Sequence, residues 1–235
     1  VMGQDLLAEA YTPSGMNGFI GLQALGRMCQ EDDPFFLTVS FHNPHAPMVA
    51  AEKFFNYYYE NRNQLALPPN MKDNSSNTGY GTGSRNDPEK VREWMACYYA
   101  LVEEVDHWVG EMLDTLDHYP GVRDNTIIVF TSDHGEMLGA HGLNEKNKFL
   151  EESAHVPLLM KVPGAIQPGT VVDDDVNTLS LFSTILDYAG AGESDNSHGS
   201  SMRRFVENLS YNESFDEGHI VTEWDFRTPN GTTLD

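Results

Sequence analysis

The feature that most restricts the fold is a long amphipathic helix set between two apolar, β-prone runs. Asp87 suits the N-cap, Pro88 the first helical position and Glu89 the positive end of the helix dipole. Apolar residues then recur at Val91, Trp94, Tyr98, Leu101, Val105, Trp108, Met112 and Leu116, with Glu93, Glu103, Glu111 and Asp114 off that stripe. Tyr119-Pro120-Gly121 stops the pattern. Such a helix spans ~45 Å at ~1.5 Å per residue. Upstream, Phe35-Phe36-Leu37-Thr38-Val39-Ser40-Phe41 reads as a strand covered on both faces, and downstream Thr126-Ile127-Ile128-Val129-Phe130 reads as a second. Strand, helix, strand in that order predicts a parallel pair joined by a right-handed crossover. The expected fold class is α/β.

The remaining elements are shorter. Phe19, Leu22, Leu25 and Met28 predict a helix from Gly18 to Glu31, ended by Asp32-Asp33-Pro34. A strand is expected from Pro157 to Val162, a helix from Leu179 to Tyr188 and a last strand from His219 to Trp224, in a smaller appended sheet. Asn74 to Asn86 and Gly190 to Ser201 read as exposed loops, the segments on which substrate specificity is expected to depend.

Composition narrows the function. With 14 Lys+Arg against 36 Asp+Glu the net charge is −22, which repels a nucleic-acid backbone and excludes DNA or RNA as a partner. Hydrophobic content of 40%, with 12 Phe and 10 Tyr, excludes a disordered acidic chain. No apolar run approaches the ~20 residues of a membrane span. The opening Val-Met-Gly-Gln-Asp has no signal-peptide pattern, so the true N-terminus is expected upstream of Val1. Cys29 and Cys97 form no CxxC pairing and read as small buried hydrophobes. Sequons at Asn74, Asn208, Asn212 and Asn230 fit a secreted or lysosomal setting, with the periplasm as the bacterial counterpart.

Open parallel sheets bind ligands beyond the carboxyl ends of their strands, and both long apolar runs end in polar clusters. The first is His42-Asn43-Pro44-His45-Ala46-Pro47, whose prolines stiffen the loop around His45. The second is Asp133-His134-Gly135, where adjacent residues reach one ion only if the chain turns. Spacing alone leaves Asp133 open to two readings, helix N-cap or metal ligand, and leaves His45 as either a surface histidine or a catalytic imidazole. Lys146 and Lys148 are the only Lys or Arg between Arg123 and Lys161, a cationic pair able to neutralise an oxyanion or simply to solvate a face. His134 and His141 lack the spacing of a helical zinc pair.

Four ordered segments together resemble the sulfatase family of the alkaline phosphatase superfamily. They are Val39-Ser40-Phe41-His42-Asn43-Pro44-His45-Ala46-Pro47, the stretch Tyr98 to Asp106, the stretch Phe130 to Leu143 containing Ser132-Asp133-His134-Gly135, and Lys146 to Leu159. The similarity runs from about residue 18 to 224. It implies a mostly parallel sheet sandwiched by helices, with residues 1–200 as the carboxyl-terminal part of the catalytic domain and 201–235 as the start of a smaller subdomain.

The resemblance also implies roles. Asp133 and His134 match ligands of a divalent cation, usually Ca²⁺, and the histidine leaves Mg²⁺ or Mn²⁺ open. His45 matches the Pro-His-x-Pro histidine that contacts the ester and protonates the departing alkoxide. Lys146 matches the lysine that grips the sulfuryl oxygens, Lys148 falls two positions late, and His155 stands where relatives usually carry Arg. The substrate class is a small-molecule or glycan sulfate ester. The family's nucleophile, a formylglycine made from Cys in a Cys-x-Pro/Ala-x-Arg motif, has no counterpart in this chain, nor do the amino-terminal acidic ligands. The polypeptide is therefore expected to be a carboxyl-terminal portion, inactive alone. Two rival readings stand beside it: a phosphonate or phosphate monoester hydrolase of the same superfamily, and a non-catalytic sulfatase-like binding module.

Overall fold

A computed structural model of the chain describes residues 2–5, 12–71, 87–146, 149–192, 197–207 and 220. These fall into two compact units, 1–126 with 134–156 and 127–133 with 157–235. The four sequons, Lys148, the whole loop at 74–86 and all but one residue of the expected strand at 219–224 lie outside the described residues.

The first unit is built on three helices. Helix α1 (Pro13–Met28) starts earlier than its apolar spacing predicts, because Thr12 caps it and Pro13 occupies its first turn. Thr12 Oγ1 accepts from Gly15 N at 2.9 Å. Strand β1 (Met2–Asp5) pairs in parallel with β2 (Met48–Ala51), and β2 runs directly into α2 (Glu52–Glu60). Helix α3 (Pro88–Asp117) follows the sequence pattern closely, and Asp87 caps it by accepting from Glu89 N at 3.0 Å.

Both α1 and α2 pack on α3. The core between α2, β2 and α3 is Ala50, Ala51, Phe54, Phe55, Cys97, Ala100 and Leu101. Small residues at 96, 97 and 100 let neighbouring backbones approach α3 closely, so its buried face is wider than the apolar stripe alone. Gly18 and Gly21 give α1 the same closeness, since a Cβ at Gly18 would meet the Trp108 ring at 2.3 Å.

One buried residue on α3 is charged. Glu104 is 0% exposed and accepts a hydrogen bond from the equally buried Thr12 hydroxyl. Asn43 Nδ2 lies 3.5 Å from its other oxygen. A buried carboxylate is costly unless hydrogen-bonded, so Thr12 both caps α1 and helps to satisfy Glu104. Thr12→Ala is expected to lower unfolding free energy by about 2 kcal/mol, the sum of a lost cap and a lost buried hydrogen bond. Urea denaturation measures this, and a loss no larger than that of an ordinary surface substitution would count against the linkage.

The run Phe35–Phe41 differs from expectation. It forms no ladder among the described residues, and Phe35, Leu37, Val39 and Phe41 are half-buried while Phe36, Thr38 and Ser40 are exposed. An apolar run cannot by itself specify a ladder, which needs a partner strand distant in sequence. Here the run has one covered face, and it lies along α1: Val39 approaches Gly21, and Asn17 Nδ2 donates to Ser40 O at 3.0 Å.

The short helix α4 (Pro120–Arg123) closes the chain after α3. In the second unit β3 (Ile128–Thr131) pairs with β4 (Leu158–Lys161), and the pairing is antiparallel, with Ile128 opposite Lys161 and Thr131 opposite Leu158. The expected parallel partnership of 126–130 with 35–41 is therefore not formed among the described residues. Helix α5 (Glu151–Ala154) belongs to the first unit, whereas α6 (Leu179–Tyr188) and α7 (Arg203–Glu207) belong to the second. Val162, Met202 and Val206 form the second unit's core, flanked by Leu158, Met160, Leu181 and Tyr188.

Candidate active site

His45 sits in the turn that follows the extended run, between Pro44 and Pro47. Its Nδ1 lies 2.7 Å from Ala46 O, and because a carbonyl only accepts, Nδ1 carries the proton. Its Nε2 lies 2.7 Å from Lys146 Nζ. An ammonium only donates, so Nε2 presents its lone pair to Lys146. The two polar side chains, 101 positions apart, thus meet head to head. His42 stands against His45, with ring centroids 4.8 Å apart, and backs the same turn.

Lys146 is delivered by a tightly folded loop. Gly139 N donates to Leu143 O at 2.8 Å, and Met137 N donates to Glu145 O at 3.0 Å. The Glu136 carboxylate closes the loop from inside, accepting from Leu138 N at 3.2 Å and from Glu145 N at 2.5 Å. Leu138, His141 and Glu145 adopt left-handed backbone at φ 41°, 56° and 64°, so this shape is imposed by its hydrogen bonds rather than by local preference.

Asp133 is the last residue of the 127–133 segment of the second unit, and His134 opens the 134–156 segment of the first. Asp133 is exposed, and Ser132 Oγ donates to its Oδ1 at 3.4 Å. His134 is half-buried, and its Nδ1 lies 2.9 Å from Gly135 O. Because a carbonyl only accepts, that bond places the ring proton on Nδ1. The turn rests on α5: Gly135 N donates to Ser153 O at 2.9 Å. Carboxylate and imidazole are both side-chain types that divalent cations take as ligands. Among the described residues no three His, Cys, Asp or Glu side chains converge on one point.

The structure thus brings together two of the four residues singled out in the sequence, His45 and Lys146. His155 points elsewhere: its Nδ1 pairs with Glu151 at 3.0 Å on an exposed helical turn. Cys29 and Cys97 are buried, as expected, and burial pushes the Cys29 thiol up.

Three polar residues were not anticipated. Glu104 lies at helical spacing from Leu101 and Trp108, so the stripe itself carried the signal that a carboxylate faces inward. Asn70 and Glu152 meet beside His141. Asn70 Nδ2 lies 2.9 Å from His141 Nε2 and donates to Glu152 Oε1 at 3.2 Å. The Glu152 carboxyl is held below the usual carboxylate range, first by a backbone hydrogen bond, then by Asn70, with a smaller contribution from His141. Nothing in Pro68-Pro69-Asn70 beyond a stiff turn announced this.

The Sulfatase family model matches residues 22–191, and the chain belongs to the sulfatase family, within the alkaline phosphatase superfamily. Choline-sulfatase of Rhizobium meliloti (strain 1021) is 37% identical over 185 residues, covering 73% of this chain and 36% of that protein. An ulvan-active sulfatase of Formosa agariphila is 30% identical over 187 residues, 78% of this chain and 34% of its own length. Among solved structures, a phosphonate monoester hydrolase from Silicibacter pomeroyi superposes with a TM-score of 0.76 at 25% identity, covering 97% of this chain and 47% of that one. The chain spans about a third of the length of these two curated relatives. The α/β, alkaline-phosphatase-like fold expected from the sequence is the fold of these neighbours.

Proposed function

We propose that this chain supplies the anion-gripping and leaving-group side of a sulfuric ester hydrolase acting on sulfate monoesters, sulfated carbohydrate foremost. The observation that carries the reading is the 2.7 Å contact between Lys146 Nζ and His45 Nε2, two groups of complementary chemical role meeting across the chain. The ulvan-active relative supports the carbohydrate class.

The residues divide the work as follows. Hydrogen bonding of Nδ1–H to Ala46 O holds the His45 ring, so its Nε2 points outward. A sulfate monoester entering beside Lys146 draws the ammonium onto its sulfuryl oxygens, where negative charge is concentrated. Nε2, released from Lys146, faces the ester oxygen; it takes up a proton from solvent, since the ring's other proton stays on Nδ1, and delivers it to the departing alkoxide. Asp133 and His134 would hold a divalent cation, Ca²⁺ first and Mg²⁺ or Mn²⁺ next, which when bound neutralises charge on the same oxygens. Formylglycine has no matching residue here: Cys29 and Cys97 lack the maturation motif and are buried. No step is assigned to it.

The test uses the parent polypeptide with 4-nitrophenyl sulfate and a phosphonate monoester side by side. Faster turnover of the sulfate ester is expected; preference for the phosphonate would move the assignment to the rival hydrolase, the activity named for the Silicibacter neighbour. In the same protein Asp133→Ala is expected to lower bound divalent metal at least about tenfold. Equal metal content in wild type and variant would remove Asp133 from the ligand set.

A further inference from the structure

We propose that Asn70 is a positioning residue that holds the Lys146 loop in register with the helix supporting the His134–Gly135 turn. The amide's orientation is fixed by its partners. Glu152 Oε1 accepts, so the atom facing it at 3.2 Å is Nδ2, and Oδ1 is left to accept from His141 N at 3.4 Å. The second Nδ2 proton then goes to His141 Nε2 at 2.9 Å. One side chain therefore engages a backbone donor, a ring acceptor and a carboxylate on two separate segments.

Those segments are the two supports of the site. His141 belongs to the loop that ends at Lys146 and has φ 56°, a conformation a non-glycine residue holds only under restraint. Asn70 restrains that residue at both its N–H and its ring. Glu152 belongs to α5, whose backbone abuts Gly135, the residue after His134. His141 Nε2 and Glu152 Oε1 stand 3.6 Å apart with the amide bridging them. Without the amide the ring takes its proton at Nε2 and turns to Glu152 directly, which lets the loop shift and draws Lys146 away from His45.

The consequence for turnover rests on the sulfatase reading; the ring chemistry does not. Asn70→Ala and the isosteric Asn70→Asp are compared by ¹⁵N NMR of the histidine rings and by kcat and KM of the parent polypeptide. The wild-type His141 ring is expected to be protonated at Nδ1. Both variants are expected to move that proton to Nε2 and to weaken the Lys146 hydrogen bond read at His45 Nε2. They are also expected to lower kcat/KM for 4-nitrophenyl sulfate about tenfold, the scale of a small misplacement of a reacting group. Adding His141→Ala to Asn70→Ala is expected to cost nothing further, because both act through one contact. Asn70→Asp fills the same space, so a merely space-filling residue would leave its signals at wild-type values. An unchanged His141 ring, or a changed one beside an unmoved His45 signal, overturns the proposal. A wild-type parent inert toward sulfate esters sinks only the hydrolase reading, since the ring signals need no substrate.

Discussion

Replacing Lys146 with alanine in the parent polypeptide is expected to lower kcat/KM for a sulfate monoester by about 10²–10³-fold, the loss seen when one oxyanion donor is deleted. The cation matters unusually here because the chain carries a net charge of −22, so an anionic ester approaches an unfavourable field and depends on local compensation. Lys146 is placed for this by the Glu136-closed loop, and its ammonium rests on His45 Nε2 at 2.7 Å. The same contact separates the two residues' roles experimentally. On the proposed reading Lys146 acts on the sulfuryl oxygens, which every substrate shares, so Lys146→Ala should damage aryl and alkyl esters alike. On the same reading His45 acts on the leaving oxygen, so His45→Ala should damage alkyl esters, whose alkoxides need a proton most, more than aryl esters. Measuring kcat/KM for both ester types in both variants checks the division. Retention of more than about a third of activity in Lys146→Ala would falsify the anion-gripping role, given a deletion scale of 10²–10³.

How much of this was legible in the sequence follows from how local each signal is. Helix α3 was legible from Asp87 to Asp117 because cap, first-turn proline and apolar period all lie within the element. The run Phe35–Phe41 misled because a continuous apolar stretch records hydrophobicity, whereas its ladder depends on a distant partner and its burial on α1. The meeting of His45 with Lys146 was not derivable from spacing at all; only the order of four motifs shared with a family pointed to it. Glu104 and Asn70 escaped for a different reason. Each is polar and was given no role in the sequence, yet the structure uses each as a hydrogen-bonding hub, Glu104 facing Asn43 and Asn70 facing His141. Polar residues that support a site leave no composition signal, because their role exists only once three segments have met.

Gly135→Ala is expected to destabilise the protein by about 3 kcal/mol, at the upper end of overpacking costs. A Cβ at this position would stand 2.1 Å from Glu152 O and 3.1 Å from Glu152 C. Both are backbone atoms, so no side chain can rotate away to relieve the clash. The Gly135 N–H donation to Ser153 O at 2.9 Å pins the two backbones together, and one must give way. Displacing α5 also moves Glu152 from Asn70, and displacing the turn moves His134, so on the proposed metal assignment metal content should fall along with stability. Two glycines supply controls of opposite sign. Gly26 and Gly110 lie inside α1 and α3, and a Cβ at either meets nothing within 4 Å. Gly26→Ala and Gly110→Ala should each stabilise by about 0.5–1 kcal/mol, through helix propensity alone. Urea unfolding of the three variants, with metal analysis of each, reads both effects. If Gly135→Ala unfolds at the wild-type midpoint with undiminished metal, the turn at 134–135 does not lean on α5, and the proposed mechanical coupling between His134 and the lysine loop is lost.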